Sequence, residues 1–269
     1  MTRRCFVVGS PIAHSRSPVI HRLFAEQCSL ALGYQKREVR PGTLASFVQE
    51  CRESGVTGLN VTLPLKEEAV ALAGEVHPRA KEAGAANTLW FDATGVVHAD
   101  NTDGTGLLRD LANNGISIRG ASILLIGAGG AARGVLPALL AELPRQVSLM
   151  NRTQARAEVL AAKHALSVLP MNAEVTTAFD VVINSTSIGI GADHALTLSP
   201  SLVDAHTRCY DLVYAPEMTP FQRWAQANGV RNPLDGLGML VEQAAEAFRI
   251  WHGLTVETAP VIAFLRQRA

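Results

Sequence analysis

An apolar run passes directly into a glycine-rich turn in the segment Ser122-Ile123-Leu124-Leu125-Ile126-Gly127-Ala128-Gly129-Gly130-Ala131-Ala132. A continuous apolar run of this kind is typical of a strand that is buried on both faces of a parallel sheet. In a G-x-G-x-x-A turn, the first glycine permits the bend, the second lets backbone approach a pyrophosphate, and the small third residue lets helix and strand pack closely. The segment therefore predicts a dinucleotide-binding unit whose helix N-terminus faces the anion, the alternative being a structural turn.

The end of the next strand indicates which dinucleotide is bound. A strand predicted at 146–150 is followed by Asn151-Arg152-Thr153, with Arg156 one turn later. An NAD enzyme usually places a carboxylate here to bind the ribose 2′-hydroxyl. This chain has no carboxylate to repel a 2′-phosphate, and it has two guanidinium groups that can bind one. We therefore predict NADP as the cofactor, the alternative being a solvated basic start of a helix.

The pattern beyond this turn predicts more units of the same kind. Further strands are expected at 180–183 and 209–213, with helical segments between the strands. Pro137 falls inside the helix after the glycine-rich turn, but the apolar spacing continues on both sides of it, so one helix is predicted through the proline. A long amphipathic helix follows Gly236 and ends at His252-Gly253, before a last helix.

The first hundred residues also alternate strand and helix. Ser17-Pro18 suggests an N-cap followed by proline at the first helical position, and Gly55 suggests a helix stop. Strands are predicted at 4–9, 34–39, 58–62, 87–91 and 95–98, and helices at 18–30, 43–54, from about 65, and at 103–113.

The predicted fold class is α/β with two α/β domains and a cleft between them. The N-terminal substrate domain is expected at 1–101, and the Rossmann NADP-binding domain at 102–236. The C-terminal helices, 237–269, are expected to pack back on the first domain.

Polar residues recur in four tight turns of the N-terminal half. Any one such turn is most often structural, but four of them at strand ends or helix starts predict a lined polar site. A Lys and an Asp among small amides and hydroxyls supply donors and acceptors for a polyol, together with one proton-transfer pair. The hydroxyls of the first turn could also receive a carboxylate, unless that turn is only a capped turn. The four turns are Ser10-Pro11-Ile12-Ala13-His14-Ser15-Arg16-Ser17-Pro18, Asn60-Val61-Thr62-Leu63-Pro64-Leu65-Lys66, Ala86-Asn87-Thr88 and Asn101-Thr102-Asp103-Gly104.

The composition argues against several other classes of protein. The 24 basic and 24 acidic residues give a net charge of +0, so no global field attracts nucleic acid or a membrane surface. No apolar run approaches the roughly 18 residues that a membrane span needs. The first run ends at Gly9, too soon for the export signal that Arg3-Arg4 suggests. The four cysteines and eight histidines show no zinc or disulfide spacing, so we expect reduced thiols, no metal and a cytoplasmic protein.

With these motifs in this order, the sequence resembles the shikimate dehydrogenase family over essentially its whole length. The resemblance implies NADPH-dependent, reversible reduction of 3-dehydroshikimate to shikimate in aromatic amino-acid biosynthesis. Besides the segments above, it rests on Gly84-Ala85, Asn184-Ser185-Thr186-Ser187, Tyr210-Asp211-Leu212-Val213-Tyr214, Gly236-Leu237-Gly238-Met239-Leu240 and Gln243-Ala244.

The resemblance also implies roles for individual residues. Lys66 and Asp103 match the catalytic pair, and Ser15 and Ser17 match serines that bind the substrate carboxylate. Thr62, Asn87 and Gln243, with the catalytic pair, match positions that bind ring hydroxyls, and Tyr214 is the last residue expected in the substrate site. The expected cofactor-binding residues are Gly127, Ala128, Gly129, Gly130, Ala131, Ala132, Asn151, Arg152, Thr153, Arg156, Thr186, Val213 and Gly236.

The chemistry requires a proton donor at the substrate carbonyl. Hydride attack on the ketone carbon puts negative charge on its oxygen, and a cationic donor there stabilises that charge and can deliver a proton. We assign this role to Lys66, with Asp103 orienting it and sharing the proton; which of the two formally transfers it stays open. A quinate/shikimate dehydrogenase with NAD tolerance and a non-catalytic NADP-sensing regulator are the alternative interpretations. The expected partners are small molecules, with the chain a monomer or a homodimer.

Overall fold

Two separate β-sheets organise the residues that the computed structural model describes, 2–186 and 198–268. Contacts group the chain into two units. The first comprises the chain up to Leu107 together with Leu240–Arg268, and the second comprises Leu108–Met239. Both divisions fall inside helices, a few residues after the predicted divisions at 101 and 236. The first unit is therefore built from two stretches of chain, and the second is inserted between them.

The first stretch alternates strands with short helices, and the inserted stretch repeats the alternation. The elements up to the first division are β1 (Arg3–Gly9), α1 (Ser17–Gln27), β2 (Leu32–Glu38), α2 (Leu44–Glu53), β3 (Gly58–Val61), α3 (Lys66–Ala71), β4 (Glu75–Val76), α4 (Pro78–Ala83), β5 (Thr88–Phe91), β6 (Val97–Asp100) and α5 (Asp103–Asn113), which crosses it. The later elements are β7 (Ser122–Ile126), α6 (Gly130–Ala141), β8 (Gln146–Met150), α7 (Gln154–Ala162), β9 (Ser167–Leu169), β10 (Val181–Asn184), a 3₁₀ turn (Pro200–Leu202), β11 (Arg208–Asp211), α8 (Pro220–Ala227), α9 (Leu237–His252), which crosses back, and α10 (Ala259–Arg266).

The first sheet brings the four polar turns to one edge. Its strand order within the described residues is β2-β1-β3-β5-β6-β4, with β1 parallel to both of its neighbours. Strand β5 runs antiparallel to β3 and to β6. The carboxyl ends of β1, β3 and β6 and the amino end of β5 therefore share an edge, and each of these ends is where one of the polar turns begins or finishes.

The second sheet is wholly parallel among the described residues. Its order is β11-β10-β7-β8-β9, which is 3-2-1-4-5 when the strands are counted from β7 and read from the β9 edge. This is the doubly wound order of dinucleotide-binding folds, in which ligands bind outside the carboxyl ends of the strands. The α/β class predicted from the sequence, with a Rossmann-type second domain, is confirmed.

Each sheet has its own hydrophobic core. In the first unit, Leu59, Leu89 and Ala99 are fully buried under α2, α3 and α4. On the other face of that sheet, the indole of Trp251 from α9 lies where a Cβ on Gly58 would overlap it, and its Nε1 donates to Leu89 O at 3.1 Å. Helix α9 can pack this closely only because a glycine begins β3. No helix of the described residues is both long and apolar enough to cross a membrane.

Several sequence predictions are confirmed and several boundaries are wrong. Helix α6 continues through Pro137, and Gly55 ends α2 with φ 70°. Ser17 is not an N-cap: α1 begins at Ser17, the N-cap residue is Arg16, and no side chain caps the helix. Helix α1 also ends before Ser29, which has φ 49°, rather than at residue 30.

The predicted strand at 95–98 lies at Val97–Asp100, because Asp92 lengthens the turn before it. The carboxylate of Asp92 accepts from the backbone N–H groups of Thr94 and Val96 at 2.8 and 2.9 Å. Elements β4, α4, β9 and α8 were not predicted from the sequence, and three of them are six residues or shorter.

Candidate active site

The centre of the candidate site is an ion pair between the first residues of two helices. Lys66 opens α3 and Asp103 opens α5, so both side chains start at the shared edge of the first sheet. Lys66 Nζ lies 2.5 Å from Asp103 Oδ2, and the two side chains are 14% and 8% exposed. The carboxylate orients the ammonium group, which keeps two further N–H donors for a ligand. The structure thus brings together the two residues that the sequence predicts as a catalytic pair, and their catalytic role stays a prediction.

Asn87 connects this pair to the other polar side chains. Its Nδ2 donates to Asp103 Oδ1 at 2.8 Å, to Thr102 Oγ1 at 2.9 Å and to Gln243 Oε1 at 3.1 Å. Its Oδ1 accepts from the backbone N–H of Thr102 at 2.9 Å. An amide that is 3% exposed and bonded on both sides has a fixed orientation. Asn87 therefore fixes Asp103 and Gln243 relative to each other.

The segment that carries Asp103 is held by hydrogen bonds from within the protein. Asn101 donates from Nδ2 to Ala85 O at 2.8 Å and accepts at Oδ1 from the backbone N–H of Asp103 at 3.0 Å. Gln243 Nε2 donates to Leu240 O at 2.9 Å within α9. These bonds satisfy the amides internally, so the groups facing a ligand do not have to reorganise to bind it.

The two serines lie near a second pair of hydrogen-bonded residues, Tyr34 and Asn60. Ser15 donates to Ser17 Oγ at 3.2 Å, and Ser17 weakly lowers the pKa of the nearby Tyr34 hydroxyl. Tyr34 donates to Asn60 Oδ1 at 2.7 Å, and Asn60 Nδ2 donates to Asn87 O at 3.3 Å. Burial raises the pKa of Tyr34 well above its usual range, so the hydroxyl stays a donor.

Two residues beside the serines, Asn60 and Tyr34, were not assigned to the site from the sequence. Asn60 is buried inside β3, and a polar amide in an otherwise apolar strand was the signal that could have identified it. Tyr34 lies in β2 and has the pattern of an ordinary strand residue, so nothing in the sequence distinguished it.

Thr62 lies where the first and second polar turns approach each other closely. Its backbone N–H donates to Val8 O at 2.9 Å, and a Cβ on Gly9 would lie 2.5 Å from Thr62 Cγ2. Glycine at position 9 is therefore required for the first polar turn to lie against the second. The hydrogen bonds of the network described above do not include the Thr62 side chain, so its role stays a prediction.

The glycine-rich turn of the second unit has the form that a dinucleotide needs. Gly127 has φ 117°, a Cβ on it would overlap Ser185 Oγ, and its N–H donates to Met150 O at 2.7 Å. Gly129 is the extended N-cap of α6, and no atom lies within 4 Å of a Cβ built on Gly129 or Gly130. This open space beside a helix N-terminus fits a pyrophosphate. Ala128 and Ala132 are buried beneath the turn, as close packing of helix and strand requires, and Ala131 is half-buried.

The turn after β8 carries the residues that are predicted to bind the 2′-phosphate of the cofactor. Asn151 Nδ2 donates to Thr153 O at 2.8 Å, which closes the turn before α7 begins at Gln154. Arg152 and Arg156 are both exposed. Since β8 is the neighbour of β7, these guanidinium groups follow the strand adjacent to the glycine-rich turn. The residues present fit an NADP molecule in its usual position on this fold.

The turns after β10 and β11 are joined to each other. Thr186 Oγ1 donates to Asn184 Oδ1 at 2.7 Å, and Asn184 Nδ2 donates to Asp211 Oδ1 at 2.9 Å. Burial raises the pKa of Asp211 to about 6. The same Oδ1 accepts from the backbone N–H of Val213 at 3.0 Å. Asp211 therefore holds the turns after both strands.

Gly236 completes this edge of the second sheet. Its N–H donates to Val213 O at 3.0 Å, and a Cβ on it would overlap Leu212 O, so a glycine is required there. Tyr214 belongs to the same unit, whereas the other predicted substrate residues belong to the first, so its assignment stays a prediction. Ser187, which completes the Asn184 motif, lies outside the described residues.

A doubly wound sheet with a glycine-rich turn, in a chain that also carries a buried Lys–Asp pair among amides and hydroxyls, defines a nicotinamide-dinucleotide-dependent oxidoreductase. Within the described residues, no group of three or more His, Cys, Asp or Glu side chains could hold a metal ion. Family profiles identify the particular kind. The profile of the shikimate dehydrogenase substrate binding domain matches residues 7–89. Those of shikimate / quinate 5-dehydrogenase and the shikimate 5′-dehydrogenase C-terminal domain match 110–193 and 236–265.

Individual relatives agree with the profiles. A shikimate dehydrogenase (NADP(+)) of Alkalilimnicola ehrlichii is 50% identical, with 99% of each chain covered. The structure of a shikimate 5-dehydrogenase of Thermus thermophilus in complex with NADP(H) and shikimate is 35% identical, with a TM-score of 0.90 over 100% of both chains. An Ael1 enzyme from Pseudomonas putida is 39% identical, with a TM-score of 0.91 over 98% of both chains. The chain belongs to the shikimate dehydrogenase family.

Proposed function

We propose that this protein catalyses the reversible, NADPH-dependent reduction of 3-dehydroshikimate to shikimate. The observation that carries the proposal is the hydrogen bonding of Asn87, which joins the Lys66–Asp103 ion pair to Gln243 through bonds of 2.8 and 3.1 Å. Such a cluster offers directed donors and acceptors around a small polyol, with one proton-transfer pair at its centre. The relatives' names, and the Thermus thermophilus complex with NADP(H) and shikimate, support the choice of substrate and cofactor.

The chemistry of the ketone depends on Lys66. When bound, the nicotinamide supplies the hydride that the substrate carbon accepts. Lys66 Nζ donates to the carbonyl oxygen, stabilises the negative charge that develops there and hands over a proton. Asp103 Oδ2 keeps the ammonium group in place at 2.5 Å, while its Oδ1 is held by Asn87. In the oxidative direction the same pair removes the proton from the hydroxyl.

Substrate recognition divides between the two serines and the polar groups around Asn87. The hydroxyls of Ser15 and Ser17 bind the carboxylate, and the groups of Thr62, Asn87 and Gln243 bind the ring hydroxyls. The 3.2 Å bond between the two serines supports a joint role, because it aligns two O–H donors on one turn. Tyr214 is the last of the proposed substrate-binding residues.

Cofactor recognition follows from the second unit. Gly127 to Ala132 and the N-terminus of α6 bind the pyrophosphate, and Arg152, Arg156, Asn151 and Thr153 bind the 2′-phosphoryl ribose. Thr186, Val213 and Gly236 line the nicotinamide side. The first unit is then the substrate domain, and the second is the NADP domain. The absence of a carboxylate at 151–153 supports NADP over NAD.

We extend the proposal to location and assembly. Cys5, Cys28, Cys51 and Cys209 are free thiols, which supports a reducing compartment such as the cytoplasm. A monomer or homodimer is the proposed state, and light scattering on the purified chain tests it.

The decisive experiment follows the reduction of NADP⁺ by absorbance with shikimate and with quinate, with NAD⁺ assayed in parallel. Rapid turnover restricted to shikimate with NADP⁺ is the expected result. Comparable turnover with quinate or NAD⁺ would move the protein to the broader quinate/shikimate class. If no pair turns over while NADPH still binds, the protein is a cofactor sensor and not a dehydrogenase.

A further inference from the structure

A second buried polar cluster lies in the first unit, centred on Arg79 at the start of α4. Its Nε and Nη2 donate to Asp100 Oδ1 and Oδ2 at 3.1 and 2.5 Å, so the contact is bidentate. Its Nη1 donates to Thr105 Oγ1 at 3.1 Å and to Glu246 Oε1 at 3.0 Å. One guanidinium group therefore joins four elements, α4, β6, α5 and α9.

Each partner of Arg79 is a near neighbour in sequence of a residue in the candidate active site. Asp100 is the last residue of β6 and precedes the segment that leads to Asp103; its Oδ1 also accepts from the backbone N–H of Asn101 at 2.7 Å. Thr105 lies two residues beyond Asp103 on α5. Glu246 lies one helical turn beyond Gln243 on α9, and side chains three apart share a helix face. Arg79 therefore connects the same two helices as Asn87, α5 and α9, through residues that lie next to the candidate site instead of in it.

The cluster is not an ordinary surface ion pair. The side chains of Asp100 and Glu246 are only 6% and 3% exposed, although Arg79 itself is 39% exposed. Asp100 and Glu246 share Arg79, and Arg249 also donates to Glu246 at 3.1 and 2.8 Å. Hydrogen bonds from Arg249 and then Arg79 lower the pKa of Glu246 to about 2, so it remains charged at neutral pH. Removal of Arg79 leaves the two buried carboxylates with one cation fewer, which increases the repulsion between them. Arg79 is thus a cation that contacts both β6 and α9.

A third attachment constrains a helix more than two do. Helix α9 is attached to the first sheet at Gln243 by Asn87 and at Trp251 by Leu89 O. The contact between Arg79 and Glu246 lies between these two, one turn beyond Gln243, and so fixes the part of the helix nearest to the site. The planar guanidinium fork also fixes the angle of approach, which a lysine ammonium group does not.

We propose that Arg79 is a positioning residue for the reaction: by joining Asp100, Thr105 and Glu246, it sets the placement of Asp103 relative to Gln243 in the substrate site. This inference rests on the proposed function, because Asp103 and Gln243 acquire their roles from it. Arg79 does not touch the reacting atoms. Its effect reaches them through the segment 100–105 and through α9.

The test compares steady-state kinetics of Arg79→Gln, Arg79→Lys, Glu246→Gln and the double variant Arg79→Gln/Glu246→Gln. For Arg79→Gln we expect kcat/KM for shikimate to fall by roughly 10- to 100-fold, the range for a small misplacement of catalytic groups. The loss should combine a higher KM for shikimate with a lower kcat, while the KM for NADP⁺ changes by less than about twofold. Arg79→Lys keeps the charge without the fork and should fall between the wild type and Arg79→Gln.

Two further readouts separate positioning from simple loss of stability. Because both residues act through one contact, the double variant should be no less active than Arg79→Gln alone. Because Arg79 is one of the two arginines that lower the pKa of Glu246, the other being Arg249, removing it should also move the acid limb of the pH profile of kcat/KM to higher pH. Glu246→Gln in the same protein should move it back. The matched control is Arg22→Gln, which breaks the exposed pair between Arg22 and Glu26 on α1 and should leave kinetics unchanged.

Three results would overturn the inference. They are a KM for shikimate and a kcat within about twofold of wild type in folded Arg79→Gln, losses that simply multiply in the double variant, or an unshifted pH profile. If Arg79→Gln does not fold, Arg79→Lys and Glu246→Gln provide the same comparison. Failure of the proposed function is distinct, since wild-type protein would then show no shikimate turnover; failure of this inference leaves wild-type turnover intact.

Discussion

At the scale of single residues, the candidate site is built from side chains that constrain one another. Lys66 contacts Asp103, Asp103 contacts Asn87, and Asn87 contacts Gln243, so no group in the series can turn without breaking a bond. Such preorganisation means that little rearrangement is needed when charge develops on a substrate. Each member can therefore be tested by removing one side chain and measuring a defined kinetic constant.

Replacement of Lys66 by alanine should remove the proton donor. We expect kcat to fall by roughly 10²- to 10⁴-fold, the usual range for a lost acid–base group. The Kd for NADPH, measured by fluorescence titration, should stay near the wild-type value because the glycine-rich turn belongs to the other unit. Lys81→Ala, an exposed lysine of α4, is the matched control. Turnover of Lys66→Ala close to wild type would refute the assignment.

Replacement of Arg152 by alanine should change cofactor preference. A charge-assisted bond to a phosphate is worth about 1.5–3 kcal/mol, so the Kd for NADPH should rise roughly 10- to 100-fold. The Kd for NADH, which lacks the 2′-phosphate, should hardly change. Arg145→Ala removes another exposed arginine of the same unit and serves as the control. Equal losses for the two cofactors would show that the 2′-phosphate is bound elsewhere.

The residues that sequence analysis identified are those whose chemistry is visible in a short motif. Lys66, Asn87 and Asp103 each lie in a polar turn, and the resemblance to a known family added Gln243. Tyr34 and Arg79 could not be found this way, because their roles come from neighbours distant in sequence. Arg79 and Glu246 are 167 positions apart, and no local pattern shows that they meet.

At the scale of elements, the start of α9 illustrates how closely the helices approach. A Cβ on Gly238 would overlap the carboxyl group of Asp110 on α5. That carboxyl cannot move aside cheaply, since it accepts from Tyr210 Oη at 2.5 Å and from Asn114 Nδ2 at 3.2 Å. Helix α9 can therefore begin here only with a glycine in its first turn.

Gly238→Ala should accordingly destabilise the protein although alanine is the better helix former. Overpacking of a filled site typically costs about 1–3 kcal/mol, which outweighs the gain of about 1 kcal/mol in helix propensity. Urea unfolding followed by circular dichroism measures the difference. Gly33→Ala is the control, because the nearest atom to its added Cβ lies 3.8 Å away. An unchanged or raised free energy of unfolding in Gly238→Ala would contradict the expectation.

Elements with a clear hydrophobic pattern were predictable, whereas the shortest strands and helix α4 were not. Strands β7 and β8 and helix α5 lie at the predicted residues, because each has an uninterrupted apolar or amphipathic pattern. Strand β4 has two residues and β9 has three, too few for a periodicity to emerge. Helix α4 has six residues and depends on Gly84 in the left-handed region for its end, a signal that in the sequence also fits a simple loop.

At the scale of the whole molecule, stability should depend on pH through a buried histidine. The ring of His21 packs against Tyr34 and Trp251, with centroids 4.2 and 5.4 Å away, and is not exposed at all. Neither ring nitrogen makes a hydrogen bond of normal geometry within the described residues, although the amide of Asn60 acts weakly in favour of protonation. Burial, reinforced by His252, lowers the pKa of His21 from 6.5 to about 3.

The sign of the effect follows from proton binding. Below about pH 6.5 the unfolded chain protonates His21 and the folded chain does not, so stability falls with pH until about 3. At pH 5 this amounts to about 2 kcal/mol. Asp211 acts in the opposite direction, since its folded pKa of about 6 lets the native state bind a proton first.

His21→Phe isolates the histidine contribution, because it keeps an aromatic ring and removes the titration. The variant should be more stable relative to wild type at pH 5 than at pH 8, by about 2 kcal/mol in the free energy of unfolding. His206→Phe, at an exposed position, is the control. A pH-independent difference between His21→Phe and wild type would contradict the lowered pKa of His21.

The arrangement of the first unit as two stretches of chain has a consequence for biosynthesis. The ribosome delivers the chain from its N-terminus at about 5–20 residues per second, and domains generally fold as units. The inserted unit is complete once Met239 has emerged, while the face over Gly58 and Leu89 still awaits Trp251. The first unit begins synthesis first but is thus the last to be completed. A nascent chain halted between residues 239 and 251 presents that apolar face to chaperones and proteases.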